Sequence, residues 1–289
     1  MGGVNMDKIG LVLEGGGMRG IYTAGVLDCF LDHQIEVNGV IGVSAGACHA
    51  TSYLSKQRER NLRVNTNYIH DKEYLSLRSL VKTGSLFGMD MLFNRIPNEL
   101  EPYDYETFNK RTNELIIVST NIETGEADYH IIQDMAKEIG YVQASSSLPL
   151  LSKPVEIDGK KLMDGGCSDS IPIGYMKEHG YTKNIVVLTQ HKEYRKGRNN
   201  LLPIIKHNYK QYPKLIKSLG DRHFVYNRAL DELQYQQTHG EAFVIQPSQP
   251  LEISRIEKNL DKLKAVYQLG YDDCTKKIDE LKQFINAAG

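Results

Sequence analysis

The first 55 residues alternate between two patterns, and that alternation narrows the fold more than any other feature of the chain. Lys8-Ile9-Gly10-Leu11-Val12-Leu13-Glu14 is a short apolar run that stops at a glycine triplet, as a buried strand does when it enters a tight turn. Over residues 21–31 the apolar side chains of Ile21, Ala24, Val26, Leu27, Phe30 and Leu31 recur at helical spacing, and residues 32–36 break the pattern. Residues 37–43 form a second apolar run. Ser44-Ala45-Gly46-Ala47-Cys48-His49-Ala50 follows it with small residues suited to opening a helix. Strand, helix, strand, helix in that order predicts parallel strands joined by right-handed crossovers.

The same reading predicts strands over residues 114–120, 127–132, 162–164, 184–189 and 243–245, and a hairpin over 155–162 with Asp158-Gly159 at its turn. Beyond residue 195 the texture becomes long polar helices, expected over 222–237 and 256–285. No internal repeat or linker interrupts the chain. The expected architecture is a three-layer α/β/α fold with a mainly parallel central sheet. A core over residues 8–190 is expected to carry a mainly helical C-terminal region, 191–289, packed on the same domain.

With 289 residues, 40% of them hydrophobic, such a fold buries a core without disulfides or metals as staples. The four cysteines, Cys29, Cys48, Cys167 and Cys274, lack the paired spacing of zinc or redox sites and read as small buried hydrophobes. No apolar run approaches the length of a spanning helix. Residues 1–6 lack the features of a signal peptide, and Met6 stands where a myristoylation signal wants Ser or Thr, so a cytoplasmic protein is expected.

Gly15-Gly16-Gly17-Met18-Arg19-Gly20 satisfies G-x-G-x-x-G between a predicted strand and a predicted helix. Residues without side chains let backbone N–H groups at a helix N-terminus approach an anion closely. That anion is either a dinucleotide pyrophosphate or the oxyanion of a tetrahedral acyl intermediate. The dinucleotide reading wants an acidic residue after the second strand, whereas Glu36 precedes it.

Gly42-Val43-Ser44-Ala45-Gly46 then matches G-x-S-x-G at a strand-to-helix turn, the setting of a nucleophile elbow. The bland alternative is a Ser44 that only caps the next helix. A serine nucleophile needs a base. His49 lies five residues on, along the presumed helix, and reads as a surface or packing residue. His191, after the strand ending at Thr189, allows a Ser44–Asp164–His191 triad. Asp164, followed by Gly165 and Gly166, is the stronger candidate, since a partly buried aspartate beside a serine can take its proton directly. On its own this segment reads equally well as an ordinary turn.

Taken together, these segments resemble the patatin-like phospholipase family. Gly15 to Gly20 look like its oxyanion loop, Gly42-Val43-Ser44-Ala45-Gly46 like its nucleophile elbow, and Asp164-Gly165-Gly166 like its D-G-G/A motif. Ala144-Ser145-Ser146-Ser147-Leu148-Pro149 resembles the stretch before the family's hairpin, and Ile171-Pro172-Ile173 falls where it has a similar proline. The resemblance covers roughly residues 8–190, and Gly270-Tyr271-Asp272 looks like the end of the family's last helix. It implies Ser44 as nucleophile and Asp164 as base, with no histidine, metal or cofactor. It further implies that the Gly16, Gly17 and Met18 amides hold the oxyanion while Arg19 steadies the loop, and that the substrate is a lipid acyl ester. A noncatalytic nucleotide-, anion- or lipid-binding protein is the competing reading.

The formal net charge is −1, yet this is a cancellation. Residues 191–228 carry 10 Lys/Arg against 2 Asp/Glu and residues 56–82 carry 7 against 3, while residues 83–139 carry 4 against 11. The basic stretch from Leu201 to Tyr212 interleaves apolar, aromatic and basic residues. It suits either a solvated helix face or peripheral contact with an anionic membrane. No nucleic-acid partner is expected, and the sequence sets no oligomeric state.

Overall fold

The inner strands are apolar on both sides because helices cover both sides. The computed structural model describes residues 8–287. Its eight-stranded sheet comprises β1 (Ile9–Leu13), β2 (Gly39–Val43), β3 (Glu114–Asn121), β4 (Ala127–Ile131), β5 (Val155–Ile157), β6 (Lys160–Asp164), β7 (Lys183–Val187) and β8 (Ala242–Ile245). Each lies where the apolar runs predict one. β3, β2, β1, β7 and β8 are parallel neighbours, and β4, β5 and β6 run antiparallel to theirs.

Successive side chains point to opposite faces. Leu11, Leu13, Leu115, Ile117, Ile185 and Val187 enter one core; Val12, Ile116, Val118 and Val186 enter the other. Burying each such side chain contributes about 1.5–3 kcal/mol against leaving it in water. The helices are α1 (Ile21–Asp32), α2 (Ala45–Leu54), α3 (Arg60–Asn67), α4 (Leu77–Thr83), α5 (Tyr105–Asn109) and α6 (Met135–Ser145). They continue with α7 (Ile173–Glu178), α8 (Leu202–Asn208), α9 (Pro213–Thr238), α10 (Leu260–Lys276) and α11 (Ile278–Asn286). α1, α2, α6 and α10 supply the first core, and α7 and α9 the second. The result is the three-layer arrangement.

The C-terminal helices depart from the predicted bounds. α9 starts at Pro213 rather than residue 222, because proline is favoured in the first turn and Leu215 and Leu219 have their own small core to fill. The single helix expected over 256–285 is two. Asn259 caps α10 by accepting from Lys262 N at 3.0 Å, and a break at Lys277 returns Ile278 and Leu281 to the core. α10 is bound to α1 through buried polar contacts as well as apolar ones. Tyr267 donates to Asp28 at 2.6 Å and Tyr22 to Asp273 at 3.3 Å.

One detail of the sheet matters most for function. β2 pairs with β3 only as far as Val43↔Val118, and β6 pairs with the next residues, beginning at Asp164↔Ser119. β4 occupies the other edge of β3 there, since Thr120 faces Ala127 on one side and Met163 on the other. β2 and β6 therefore share one edge of β3 and run toward each other.

Candidate active site

Because β2 and β6 approach along one edge, the residue leaving β2 and the residue ending β6 meet. Those residues are Ser44 and Asp164. The turn between them is held by the serine-rich stretch at the end of α6. Ser145 Oγ accepts from Ser44 N at 2.8 Å and donates to the Val118 carbonyl at 2.5 Å, while Asp164 N donates to the Ser147 carbonyl at 2.9 Å. Ser145 thus ties the Ser44 backbone to β3, and Ser147 ties the Asp164 backbone to the end of α6.

Ser44 has φ 55° and ψ −121°, a conformation that costs an L-residue of order 1–3 kcal/mol. It leads straight into α2. The tight passage depends on Gly46, where a Cβ would come within 2.4 Å of the Leu13 carbonyl oxygen. Strand, strained serine and helix together form the elbow that G-x-S-x-G predicts.

Asp164 is buried at 2% exposure. Its Oδ1 accepts from Gly166 N at 2.8 Å, and its Oδ2 makes no hydrogen bond. Burial raises its pKa above the ordinary carboxylate value; the nearby Ser44 hydroxyl, Arg222, the Gly166 amide and Arg255 oppose that rise, in that order. An unpartnered oxygen on a buried carboxylate is costly, and it leaves a free acceptor beside the serine. The neighbouring hydroxyl is close enough to act on the carboxyl without being bonded to it.

The glycine-rich loop passes over Ser44. Gly17 has φ +57°, and a Cβ there would lie 2.6 Å from the Arg255 carbonyl oxygen, so both conformation and space call for glycine. Arg19 N donates to the Gly16 carbonyl at 3.3 Å. Among the described residues the Gly16 and Gly17 amides have no hydrogen-bond acceptor, as an oxyanion site requires. Met18 differs from the expectation. Its amide donates to the Arg255 carbonyl at 3.1 Å and is already engaged. With the Gln190 amide oxygen turned toward it, the Arg19 guanidinium donates at 3.2 and 3.3 Å.

The histidines do not reach the serine. His191 Nδ1 pairs with Glu193 at 3.0 Å, and His191 bounds neither cavity at Ser44. His49 is buried, and burial pushes its pKa down to about 4, so it is a neutral wall residue.

Two cavities meet at Gly17, Ser44 and Leu148. The first is an apolar channel between α2, α3, α6 and the π-helical turn Met91–Leu100, with Leu92, Phe93, Ile96, Ile139 and Val142 on its walls. The second, on the side of α9, is polar and holds Asp164, Glu14, Arg19, Lys196, Arg222 and Arg255. Sequence reading missed the channel walls and Glu14, Lys196, Arg222 and Arg255. The charge excess over residues 191–228 was the one available signal, since Lys196 and Arg222 belong to it. Among the described residues no group of three or more His, Cys, Asp and Glu side chains is arranged to hold a metal.

Comparison with known proteins gives the chain's family. The chain is 27% identical over 186 residues to the uncharacterized protein YjjU of Escherichia coli K12, covering 63% of this chain and 52% of that one. It is 30% identical over 183 residues to lysophospholipase nte1 of Emericella nidulans, covering 60% of this chain and 11% of the fungal protein. The chain thus spans about half of YjjU and about a tenth of the fungal relative. The crystal structure of VipD from Legionella pneumophila superposes with a TM-score of 0.50 at 12% identity, covering 98% of this chain and 67% of that one; the likeness is one of fold. Residues 212–286 match a domain of unknown function, DUF6363. Residues 11–177, which contain the loop, the elbow and Asp164, match the patatin-like phospholipase model, and the chain belongs to that family.

Proposed function

We propose that the chain is a serine acyl-ester hydrolase acting on phospholipid or lysophospholipid through a Ser44–Asp164 dyad. The observation that carries this reading is the free Oδ2 of buried Asp164 beside the strained Ser44. Asp164 takes the Ser44 proton as Oγ attacks the ester carbonyl, and the Gly16 and Gly17 amides receive the developing oxyanion. The same proton then goes to the departing alcohol oxygen, leaving the acyl group on Ser44. Water attacks that ester with Asp164 again as base, and as the acyl–Oγ bond breaks Asp164 returns the proton to Ser44 Oγ and the fatty acid is released. The apolar channel receives the acyl chain. No step calls for a metal or cofactor.

The test is turnover of nitrophenyl esters and lysophospholipids, together with labelling by a fluorophosphonate probe. Ser44→Ala and Asp164→Asn are expected to lower kcat by at least roughly a thousandfold, whereas His191→Ala leaves it within about twofold. A His191→Ala loss as large as that of Asp164→Asn would replace the dyad with a triad. Probe labelling of some other serine would return the site to the noncatalytic reading.

We also propose peripheral contact with anionic membranes. Leu201 and Ile204 are exposed beside Lys206 and Lys210, and Leu201 lines a third cavity that shares Asp164, Lys196, Arg222 and Arg255 with the polar one. Among the described residues no helix is long and apolar enough to cross a membrane. Co-sedimentation with phosphatidylglycerol vesicles, weakening as salt rises, is the expected result.

A further inference from the structure

Lys196, Arg222 and Arg255 lie outside the stretch that the family model covers, and neither the dyad nor the oxyanion loop spends their charges. With Arg19 they line the chamber that also holds Ser44 and Asp164. The other carboxylate present, Glu14, is already engaged by Thr189 N at 2.7 Å, Thr189 Oγ1 at 3.1 Å and Tyr226 Oη at 2.7 Å. Among the described residues Arg222 reaches only Ser170 Oγ, at 3.4 Å, and its Nε is buried without a partner, as is that of Arg19. The Lys196 ammonium sits 4.1 Å from the Tyr226 ring centroid instead of against an acid. Burial, then Arg222, then Arg255 and Arg19, push its pKa down to about 7, with Glu14 opposing. Four cations around two carboxylates leave an excess of positive charge in a partly desolvated space, an arrangement that an incoming anion relieves.

We propose that Lys196, Arg222 and Arg255 form a subsite for the head-group phosphate of the lipid substrate, across Ser44 from the acyl channel. This rests on the hydrolase reading for its placement. In a glycerophospholipid the phosphate lies only a few bonds from the ester carbonyl, and here cations and nucleophile bound one chamber. Arginine forks match phosphate oxygens, and lysine adds a point charge. A neutral acylglycerol leaves the same cations unpaired. The C-terminal region thereby selects the substrate class while the family core performs the chemistry. Free phosphate offers the same oxygens without the acyl chain, so the lipid is distinguished by what its chain adds in the channel.

Binding to the Ser44→Ala protein tests the subsite without requiring turnover, so its failure is separable from failure of the hydrolase reading. Calorimetry would compare octanoyl lysophosphatidate, monooctanoylglycerol and inorganic phosphate, all monomeric. Lysophosphatidate is expected to bind roughly 10- to 100-fold more tightly than monooctanoylglycerol, the range for hydrogen bonds to a charged group. Adding Arg222→Gln or Arg255→Gln, with folding checked by circular dichroism, removes most of that advantage. Equal binding of the two lipids, or an advantage that survives both substitutions, overturns the subsite. Inorganic phosphate binding as tightly as lysophosphatidate overturns the head-group assignment.

Discussion

On one side of Ser44 the walls are Leu92, Phe93, Ile96 and Val142; on the other they are Lys196, Arg222 and Arg255. The apolar side is built within the family core and the charged side largely by the C-terminal region. Their energetics differ accordingly. An apolar channel contributes to the core on which it borders, and its unsatisfied polar atoms are few: His49 Nδ1 and Arg60 Nε on its walls are buried without partners. Cations without counterions cost stability, and a fold retains such a cost most readily where a ligand offsets it. The contrast sets packing that holds the chain together beside charges that the proposed subsite would use.

The largest effect that would sharpen this contrast comes from filling the channel. Ile139→Trp is expected to lower kcat/KM for a long-chain nitrophenyl ester by about tenfold or more relative to the acetate, because each excluded methylene forfeits about 0.8 kcal/mol of burial. An unchanged ratio of the two esters would break the assignment of the channel to the acyl chain.

Next comes the strain at the point where the two cavities meet. Ser44→Gly accepts φ 55° without penalty, so thermal denaturation should show a stabilisation of about 1 kcal/mol with turnover abolished. A fall in Tm would mean that the elbow is held without strain.

The smallest effect probes the charged side through the base. As the proposed base, Asp164 works only when ionised, so kcat/KM for a neutral ester is expected to rise with pH through its raised pKa. Arg222 favours the ionised form. Arg222→Gln removes that positive charge, favours the protonated carboxyl and moves the midpoint of the profile to higher pH. A midpoint that moves down, or stays, separates Arg222 from the dyad.

Local pattern carried much of the architecture. The inner strands were legible because apolar runs bounded by turn residues depend on burial of both faces, which is a property of the run itself; the partly exposed β5 was legible through the Asp158-Gly159 turn instead. Ser44 and Asp164 were legible for another reason: the glycines around them are imposed by close backbone approach, as at Gly46 against Leu13. The Met18 amide was misassigned because its partner, the Arg255 carbonyl, lies more than 200 residues away in the chain. The bounds of α9 and the break at Lys277 were missed because they depend on which core each turn faces, not on helical spacing alone.

By itself, then, the sequence determined the alternation of strands and helices, the elbow and the carboxylate, since each rests on short-range steric and hydrophobic rules. Tertiary structure decided that β2 and β6 share an edge of β3, so that Ser44 and Asp164 meet. It also decided that Glu14, Lys196, Arg222 and Arg255 converge on the same space. No local rule encodes such meetings, because they follow from strand register and from the way α9 and the segment before α10 fold back over the sheet.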